Sequence, residues 1–291
     1  MPLTRVDLEL PYTGPLDRGA LVDYFANRAV PGIERVEPDG TYVRSLALPH
    51  GPALVTLRLG EAGPPLTGAL ALGDRTDRGA AETICRQLLD LDHDPAPVQD
   101  RLGDDPLLGP AVGASPGRRV PGAVDATELC VRTVLGQQIS LAGAATAAGR
   151  LVDRFGAELG PLADGEVTHL FPTPAALAHA DPETLAMPRA RARSLVGLAA
   201  ALAGSELVLR RGGDPAAARE QLLALPGIGP WSADYIVMRV LGDHDVFLAS
   251  DLGVRRALER AGVAADPRSA AALAERWRPL RSYAMQYVWT L

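Results

Sequence analysis

The residues best suited to chemistry lie in one segment, LPGIGPWSADY, from Leu225 to Tyr235. Its pattern is a helix-stopping proline, two glycines around one apolar residue and a helix-starting proline: Pro226, Gly227, Ile228, Gly229 and Pro230. The glycines leave backbone N–H groups uncovered, and beside a helix N-terminus such groups bind a phosphate without a lysine. The segment therefore predicts a phosphate-binding helical hairpin, against the alternative of an ordinary glycine-rich turn.

Two aromatic side chains and a carboxylate follow this hairpin. Trp231 and Tyr235 are spaced i, i+4, which places both on one face of the second helix. In a chain with 4% aromatic residues, this pair predicts a stacking platform for an unstacked base, although each taken singly is also typical of core packing. Asp251 follows the apolar run DVFLAS and precedes LGVRRALER, a position also typical of a plain helix N-cap.

Composition limits the possible classes of protein. A chain of 291 residues, 47% hydrophobic and 22% charged, predicts roughly two or three globular units. It shows neither a signal-peptide pattern nor an uncharged apolar stretch of about 18 residues, which predicts a soluble, cytoplasmic protein. The net charge of −6 disfavours a broad basic surface for nucleic acid. Binding to nucleic acid would then have to use backbone amides, helix ends and a few arginines.

The metal-ligating residue types are few. Two cysteines cannot make a four-thiolate zinc or iron–sulfur site, and the five histidines are scattered without ligand spacing. We therefore expect no catalytic transition metal. Cys85 and Cys130 both lie in apolar helical patterns, which predicts two buried, unreactive thiols.

The elements that position these residues fall into two parts. Residues 1–92 alternate and are β-branched in VDLELPY, TYVRSLALPH, ALVTLRLG and ALALGD, with helices at LVDYFANRAV and AAETICRQLLDLD. This predicts an N-terminal α+β domain with a mostly antiparallel sheet. Residues 93–122, rich in Pro, Gly and Asp, are predicted as a linker and the start of a helical body that fills 123–291, with the hairpin at 225–230.

The hairpin, Asp251 and the motif VRTVLGQQIS at 131–140 resemble the helix-hairpin-helix DNA glycosylase superfamily, most of all its bacterial alkylation-repair branch, the 3-methyladenine DNA glycosylases of type II. The similarity covers nearly the whole chain, including LPYTGPLD, YVRSLAL, FPTPAALAHADPETL and AERWRPLRSYAMQYVW. It implies an α+β fold: a TATA-binding-protein-like antiparallel sheet domain followed by an all-helical glycosylase body. The body would form two subdomains with the active-site cleft between them.

The same resemblance assigns roles to individual positions. Asp251, in FLASD, matches the catalytic aspartate. The positions that match aromatic residues of the base pocket are Trp231, Tyr235 and Trp289. Gln138 matches the residue that wedges into the gap left by a flipped nucleotide, where the close relative has leucine. The hairpin residues expected to contact DNA are Gly227, Ile228 and Gly229.

The resemblance also defines the reaction and the cofactors. Trp231 occupies the position of the lysine nucleophile found in enzymes that nick the backbone, which implies a monofunctional glycosylase without a lyase step. No cofactor is expected except a monovalent cation, sodium or potassium, on the backbone carbonyls of Leu223, Leu225 and Ile228. Asp251 would stabilise positive charge on the sugar, activate water, or do both.

The expected partner is double-stranded DNA containing alkylated bases, bound by a monomer without a membrane. Alkylated purines are cationic, so they stack well on indole rings, and flipping is cheapest for damaged bases. The lesion range, including hypoxanthine and O2-alkylpyrimidines, stays open. Two rival functions also stay open: a non-catalytic DNA-binding module, and a glycosylase for deaminated or mismatched bases.

Two features near the end of the chain are ambiguous. Arg281 and Ser282 would reach the DNA or the cleft, or make intramolecular contacts. The chain stops at Trp289-Thr290-Leu291, where the close relative runs several residues further. The expectation is a truncated chain or one part of a longer protein, such as a fusion with an alkyl-transfer regulator.

Overall fold

The computed structural model describes residues 4–291, and its N-terminal part is a five-stranded antiparallel sheet in the order β1-β5-β4-β3-β2. The strands are β1 (Thr4–Leu10), β2 (Glu34–Val36), β3 (Thr41–Leu48), β4 (Gly51–Arg58) and β5 (Leu66–Leu72). Helix α1 (Arg18–Ala26) connects β1 to β2, and α2 (Arg78–Leu88) follows β5. The predicted α+β fold with an antiparallel sheet is confirmed; β2, only three residues long, is the strand that the sequence did not indicate.

One face of the sheet is covered by helices and the other in part by the helical body. Alternate residues such as Tyr42 and Leu46 pack with α1 and α2, where Cys85 is buried in the same cluster. On the opposite face, Val43 packs against Leu159 and its neighbours, which belong to an irregular segment of the helical body. The outward residues of β1 on that face, such as Asp7, are exposed to solvent.

The rest of the described chain is helical. Its helices are α3 (Ala96–Leu102), α4 (Gly109–Ala114), α5 (Ala126–Leu135), α6 (Leu141–Phe155), α7 (Pro174–Ala178), α8 (Arg189–Ala203), α9 (Pro215–Leu223), α10 (Pro230–Ile236), α11 (Leu252–Arg260), α12 (Pro267–Ala274) and α13 (Arg281–Val288). Side-chain caps start several of them: Ser140 accepts from the Gly143 amide at α6, and Asp214 from the first turn of α9. No helix within residues 4–291 has the length and apolar character to cross a membrane.

The helices bury two separate apolar clusters. Helices α5 to α10 supply the first, which contains Cys130, and helices α3, α4 and α11 to α13 supply the second. Helix α10 lies between them, because Ile236 packs in the first cluster while Trp231 and Tyr235 pack against the second. The body therefore has two subdomains that meet along α10, and both predicted buried cysteines are indeed buried.

The predicted linker, 93–122, contains α3 and α4, whose Val98 and Val112 are buried in the second cluster. The domain boundaries drawn from the sequence stay a prediction. The sequence predicted one continuous helix at 231–242. In the structure, α10 is followed by a wider π-helical turn, Val237–Leu241, which ends at the left-handed residue Gly242.

Candidate active site

The hairpin between α9 and α10 has two glycines with different structural requirements. Gly227 has a φ of +83°, and a Cβ added there would lie 2.1 Å from Ser194 Oγ on α8, so only glycine fits. Gly229 has a φ of −92° and faces open space, so its glycine serves to leave the amide uncovered. Ile228 between them is buried at 5% exposure, which fixes the turn to the helices on either side.

The Asp251 carboxylate is held by three donors. Its Oδ1 accepts from the Val254 backbone N–H at 2.9 Å and from Trp289 Nε1 at 3.0 Å. Its Oδ2 accepts from Trp231 Nε1 at 3.0 Å. The carboxylate is therefore both the N-cap of α11 and a half-buried acidic group fixed between two indoles, so the two sequence interpretations are compatible.

The two aromatic side chains predicted on one face of α10 lie against each other. The rings of Trp231 and Tyr235 are stacked, with centroids 5.2 Å apart and an interplanar angle of 6°. Arg239, fully buried one turn further along, places its guanidinium carbon 5.4 Å from the centroid of Tyr235 and 5.0 Å from that of Tyr24. Burial alone would raise the pKa of Tyr235, but the positive charges of Arg239 and Arg28 outweigh it and lower the pKa to about 8.

A cavity of about 150 Å³ opens beside Trp231 and Tyr235. A protein cavity of about this size accepts a benzene ring, so one flat aromatic ring is of the right order. Tyr24 of α1 and Arg28, just after that helix, also line the cavity, and the guanidinium of Arg28 lies 4.2 Å from the centroid of Tyr24. Sequence reasoning missed both residues; their i, i+4 spacing in a chain poor in aromatics was the signal that could have found them.

The floor of this cavity contains a buried charge network. Arg44 Nη2 lies 2.7 Å from Glu128 Oε2, while Arg132 Nη1 lies 2.7 Å from Glu34 Oε1 and 2.8 Å from Glu128 Oε1. Glu34 and Arg44 belong to the sheet, whereas Glu128 and Arg132 belong to α5. Burial opposes the charge of Glu128, but the two arginines outweigh it and keep the pKa of its carboxyl below the usual value. The network joins the sheet domain to the helical body.

The predicted wedge lies apart from the carboxylate. Gln138 is exposed in the turn between α5 and α6, has a φ of +60° and does not line the cavity. Ile139 and Leu141 beside it are exposed to 42% and 51%. The turn therefore exposes one polar and two apolar side chains, of which Leu141 also borders the cavity.

The remaining predicted positions are backbone groups and one ambiguous pair. The carbonyl of Leu225 accepts from the Ile228 N–H at 3.2 Å, and Leu223 ends α9. Within residues 4–291, no group of three His, Cys, Asp or Glu side chains could hold a metal ion.

Arg281 and Ser282, which the sequence left ambiguous, make intramolecular contacts. Arg281 is bound by Asp245 and Glu275, and Ser282 is fully buried.

Two family models match the chain. Residues 7–125 match the model described as the AlkA N-terminal domain. Residues 131–281 match the model described as HhH-GPD superfamily base excision DNA repair protein. The second match contains the hairpin, the stacked aromatic pair and Asp251.

Relatives match along nearly the whole chain. A "Probable bifunctional transcriptional activator/DNA repair enzyme AlkA" of Mycobacterium tuberculosis is 47% identical over 98% of this chain, which spans only 57% of that relative. "DNA-3-methyladenine glycosylase 2" of Escherichia coli is 36% identical over 94% of both chains. A 3-methyladenine DNA-glycosylase structure from Archaeoglobus fulgidus shares the fold, with a TM-score of 0.82 and 23% identity over 98% of this chain and 97% of that one. This chain belongs to the HhH-GPD superfamily of base excision DNA repair proteins.

Proposed function

We propose that this protein is a monofunctional DNA glycosylase that removes alkylated bases from double-stranded DNA. One observation carries the proposal: the Asp251 carboxylate is fixed by the indoles of Trp231 and Trp289, and Trp231 also walls a cavity sized for an aromatic ring. The names of the relatives, glycosylases for 3-methyladenine, support the same class of substrate.

In this proposal Asp251 acts on the sugar while the base occupies the cavity. As the bond from C1′ to the base nitrogen breaks, its electron pair leaves with the base and positive charge develops on the deoxyribose. A carboxylate next to that charge lowers the barrier. Water then forms the new bond to C1′ and loses a proton, which Asp251 would accept through Oδ2, because Oδ1 already accepts two hydrogen bonds and Oδ2 only one. A cationic base leaves as a neutral molecule.

Aromatic faces, rather than wall charge, favour a cationic base in this cavity. Three arginines and two glutamates line it, namely Arg28, Arg44, Arg132, Glu34 and Glu128. Arg44 and Arg132 pair with the two glutamates, and Arg28 leaves one net positive charge, so the wall charges do not attract a cation. The stacked rings of Trp231 and Tyr235 attract one through their π electrons. Selectivity for alkylated purines would then rest on stacking and on the ease of flipping a damaged base.

The hairpin would bind the sugar–phosphate backbone of the DNA. The uncovered amides near Gly227 and Gly229 would bind a phosphate of the lesion strand. The backbone carbonyls of Leu223, Leu225 and Ile228 would hold a sodium or potassium ion, since carbonyl oxygens suit such hard cations and the C-terminal end of α9 adds partial negative charge. Gln138 would fill the gap left by the flipped base. We expect a monomer to be sufficient.

The test is release of bases from methylated duplex DNA, with products identified by chromatography. We expect the wild-type protein to release 3-methyladenine and 7-methylguanine. Asp251→Asn should slow single-turnover release by about 10²- to 10³-fold, because the charge that stabilises the sugar is lost. Asparagine is also a good N-cap, so folding and DNA binding should survive this substitution.

Three results would overturn the proposal in whole or in part. Unchanged release by the Asp251→Asn variant would remove the carboxylate from the reaction. Binding to DNA without release of any base by the wild type would favour a non-catalytic module. A covalent protein–DNA adduct trapped by borohydride would contradict the monofunctional assignment, because it requires an amine nucleophile.

A further inference from the structure

One glutamine ties the wedge turn to the hairpin. Gln137 Nε2 donates to the Gly227 carbonyl at 2.9 Å and to Ser232 Oγ at 3.2 Å. Gln137 is half-buried, whereas its neighbour Gln138 is exposed. Adjacent residues of the same turn thus point in different directions, one into the protein and one outward.

A second contact holds the backbone of the same residue. Arg191 Nη2, in the first turn of α8, donates to the Gln137 carbonyl at 2.6 Å. Helix α8 also lies directly against the hairpin, because Ser194 Oγ occupies the space that a side chain at Gly227 would need. The wedge turn, the start of α8 and the hairpin therefore form one three-way junction around Gln137.

The conformation of the wedge explains why such support is needed. Gln138 has a φ of +60°, a left-handed conformation that costs a non-glycine residue roughly 1 kcal/mol or more and persists only where the surroundings hold it. Gln138 is exposed and receives little support of its own. Gln137, one residue before it, is held through both its side chain and its carbonyl.

We propose that Gln137 is a positioning residue that fixes the wedge, Gln138, relative to the phosphate-binding hairpin, and so sets the efficiency of base flipping. The inference rests on the proposed function, since it gives Gln138 and the hairpin their roles. Gln137 acts through these two elements, without touching the reacting atoms. Its loss should therefore slow the extraction of a stacked base and leave the later bond cleavage nearly unchanged.

The experiment compares two DNA substrates carrying the same alkylated purine. In the first the lesion is stacked in a full duplex; in the second it lies in a mismatched bubble, where it is already unstacked. We expect Gln137→Ala to slow single-turnover release about tenfold on the duplex, the order given by loss of one or two hydrogen bonds, and less than about twofold on the bubble. Gln137→Glu keeps the size but cannot donate, so it should behave like Gln137→Ala.

The control is Gln221→Ala, an exposed glutamine on α9, which should change neither rate. Fluorescence of 2-aminopurine beside the lesion reports unstacking directly, and its increase on binding should be smaller for the Gln137 variants. Equal losses on both substrates would indicate general damage to the active site and overturn the inference, as would no loss on either. If the wild type released no base from either substrate, the proposed function itself would fall, and this inference with it.

Discussion

The two sides of the cavity differ in how the chain builds them. On the helical side, the stacked rings of Trp231 and Tyr235 line the cavity. Trp231 and Trp289 hold the Asp251 carboxylate, and these four residues form what we call the helical wall. The N-terminal wall, formed by α1 and the sheet, contributes Tyr24 and Arg28. It is held in place by the buried network of carboxylates and guanidinium groups on the cavity floor.

The groups suited to chemistry therefore belong to the helical wall, whereas the N-terminal wall shapes the cavity around them. Hydrogen bonds from two indoles and one backbone amide to the Asp251 carboxylate fix the helical wall, and the two indoles lie 20 and 38 residues from Asp251 in sequence. The N-terminal wall depends on ion pairs between residues far apart in sequence, such as Arg44 and Glu128. A buried pair adds little net stability when intact but costs a great deal when one partner is removed. The two walls should therefore fail in different ways.

The largest effect should follow from breaking the N-terminal wall with Glu128→Ala. This change leaves the buried Arg44 without its closest partner and removes one partner of Arg132, so the free energy of unfolding should fall by about 3–5 kcal/mol, as urea denaturation would measure. Glu183→Ala is the control, because Glu183 pairs only with the exposed Arg189 and Arg193 and should cost less than about 1 kcal/mol. Equal losses of unfolding free energy in the two variants would show that burial does not determine how much the ion pairs contribute to stability.

A smaller effect should follow from Trp289→Phe in the helical wall. The substitution keeps an aromatic ring but removes the N–H bond to Asp251 Oδ1, so single-turnover release should slow about tenfold, with little change in binding. Trp277→Phe is matched to it, since Trp277 Nε1 donates to Asp105 at 2.8 Å away from the cavity. The Trp277→Phe variant should lose stability and keep its release rate. Slow release by Trp277→Phe together with normal release by Trp289→Phe would contradict the role given to the Trp289 hydrogen bond.

The smallest effect should separate the tyrosines of the two walls. Because the pKa of Tyr235 is lowered to about 8, it becomes a phenolate as the pH rises through that value, whereas burial raises the pKa of Tyr24. Affinity for a permanently cationic alkylpurine, measured in the Asp251→Asn background, should increase roughly threefold from pH 7 to 9. Tyr235→Phe should abolish this increase and Tyr24→Phe should preserve it. An increase that survives in Tyr235→Phe would show that another group titrates.

The sequence predicted what local signals encode. Four of the five strands, the hairpin and the helix that carries Trp231 and Tyr235 have short-range patterns of alternation, glycine and proline, whereas the three residues of β2 are too few to show one. The position of Trp289 came only through resemblance, because no local pattern relates it to Asp251. Helices α3 and α4 were missed because seven and six residues rich in proline and glycine do not show a clear helical period.

Contacts distant in sequence account for the rest. Nothing near Tyr24 or Arg28 indicates that α1 faces α10, and the pairing of Arg44 with Glu128 joins positions 84 residues apart. Gln137 could not be separated from Gln138 by sequence, since only the backbone conformation of the turn sends one inward and the other outward. Tertiary packing, which a single sequence does not display, decides these features.

The charge network beneath the cavity also limits how this protein can be divided or recombined. Separating the sheet domain from the helical body would break the Arg44–Glu128 and Arg132–Glu34 pairs. Each half would keep only its internal pair, Arg44–Glu34 at 3.5 Å or Arg132–Glu128 at 2.8 Å. An exchanged N-terminal domain would be compatible only if it brought both charges in the same places. We therefore expect the two parts, although distinct in architecture, to be kept or exchanged together.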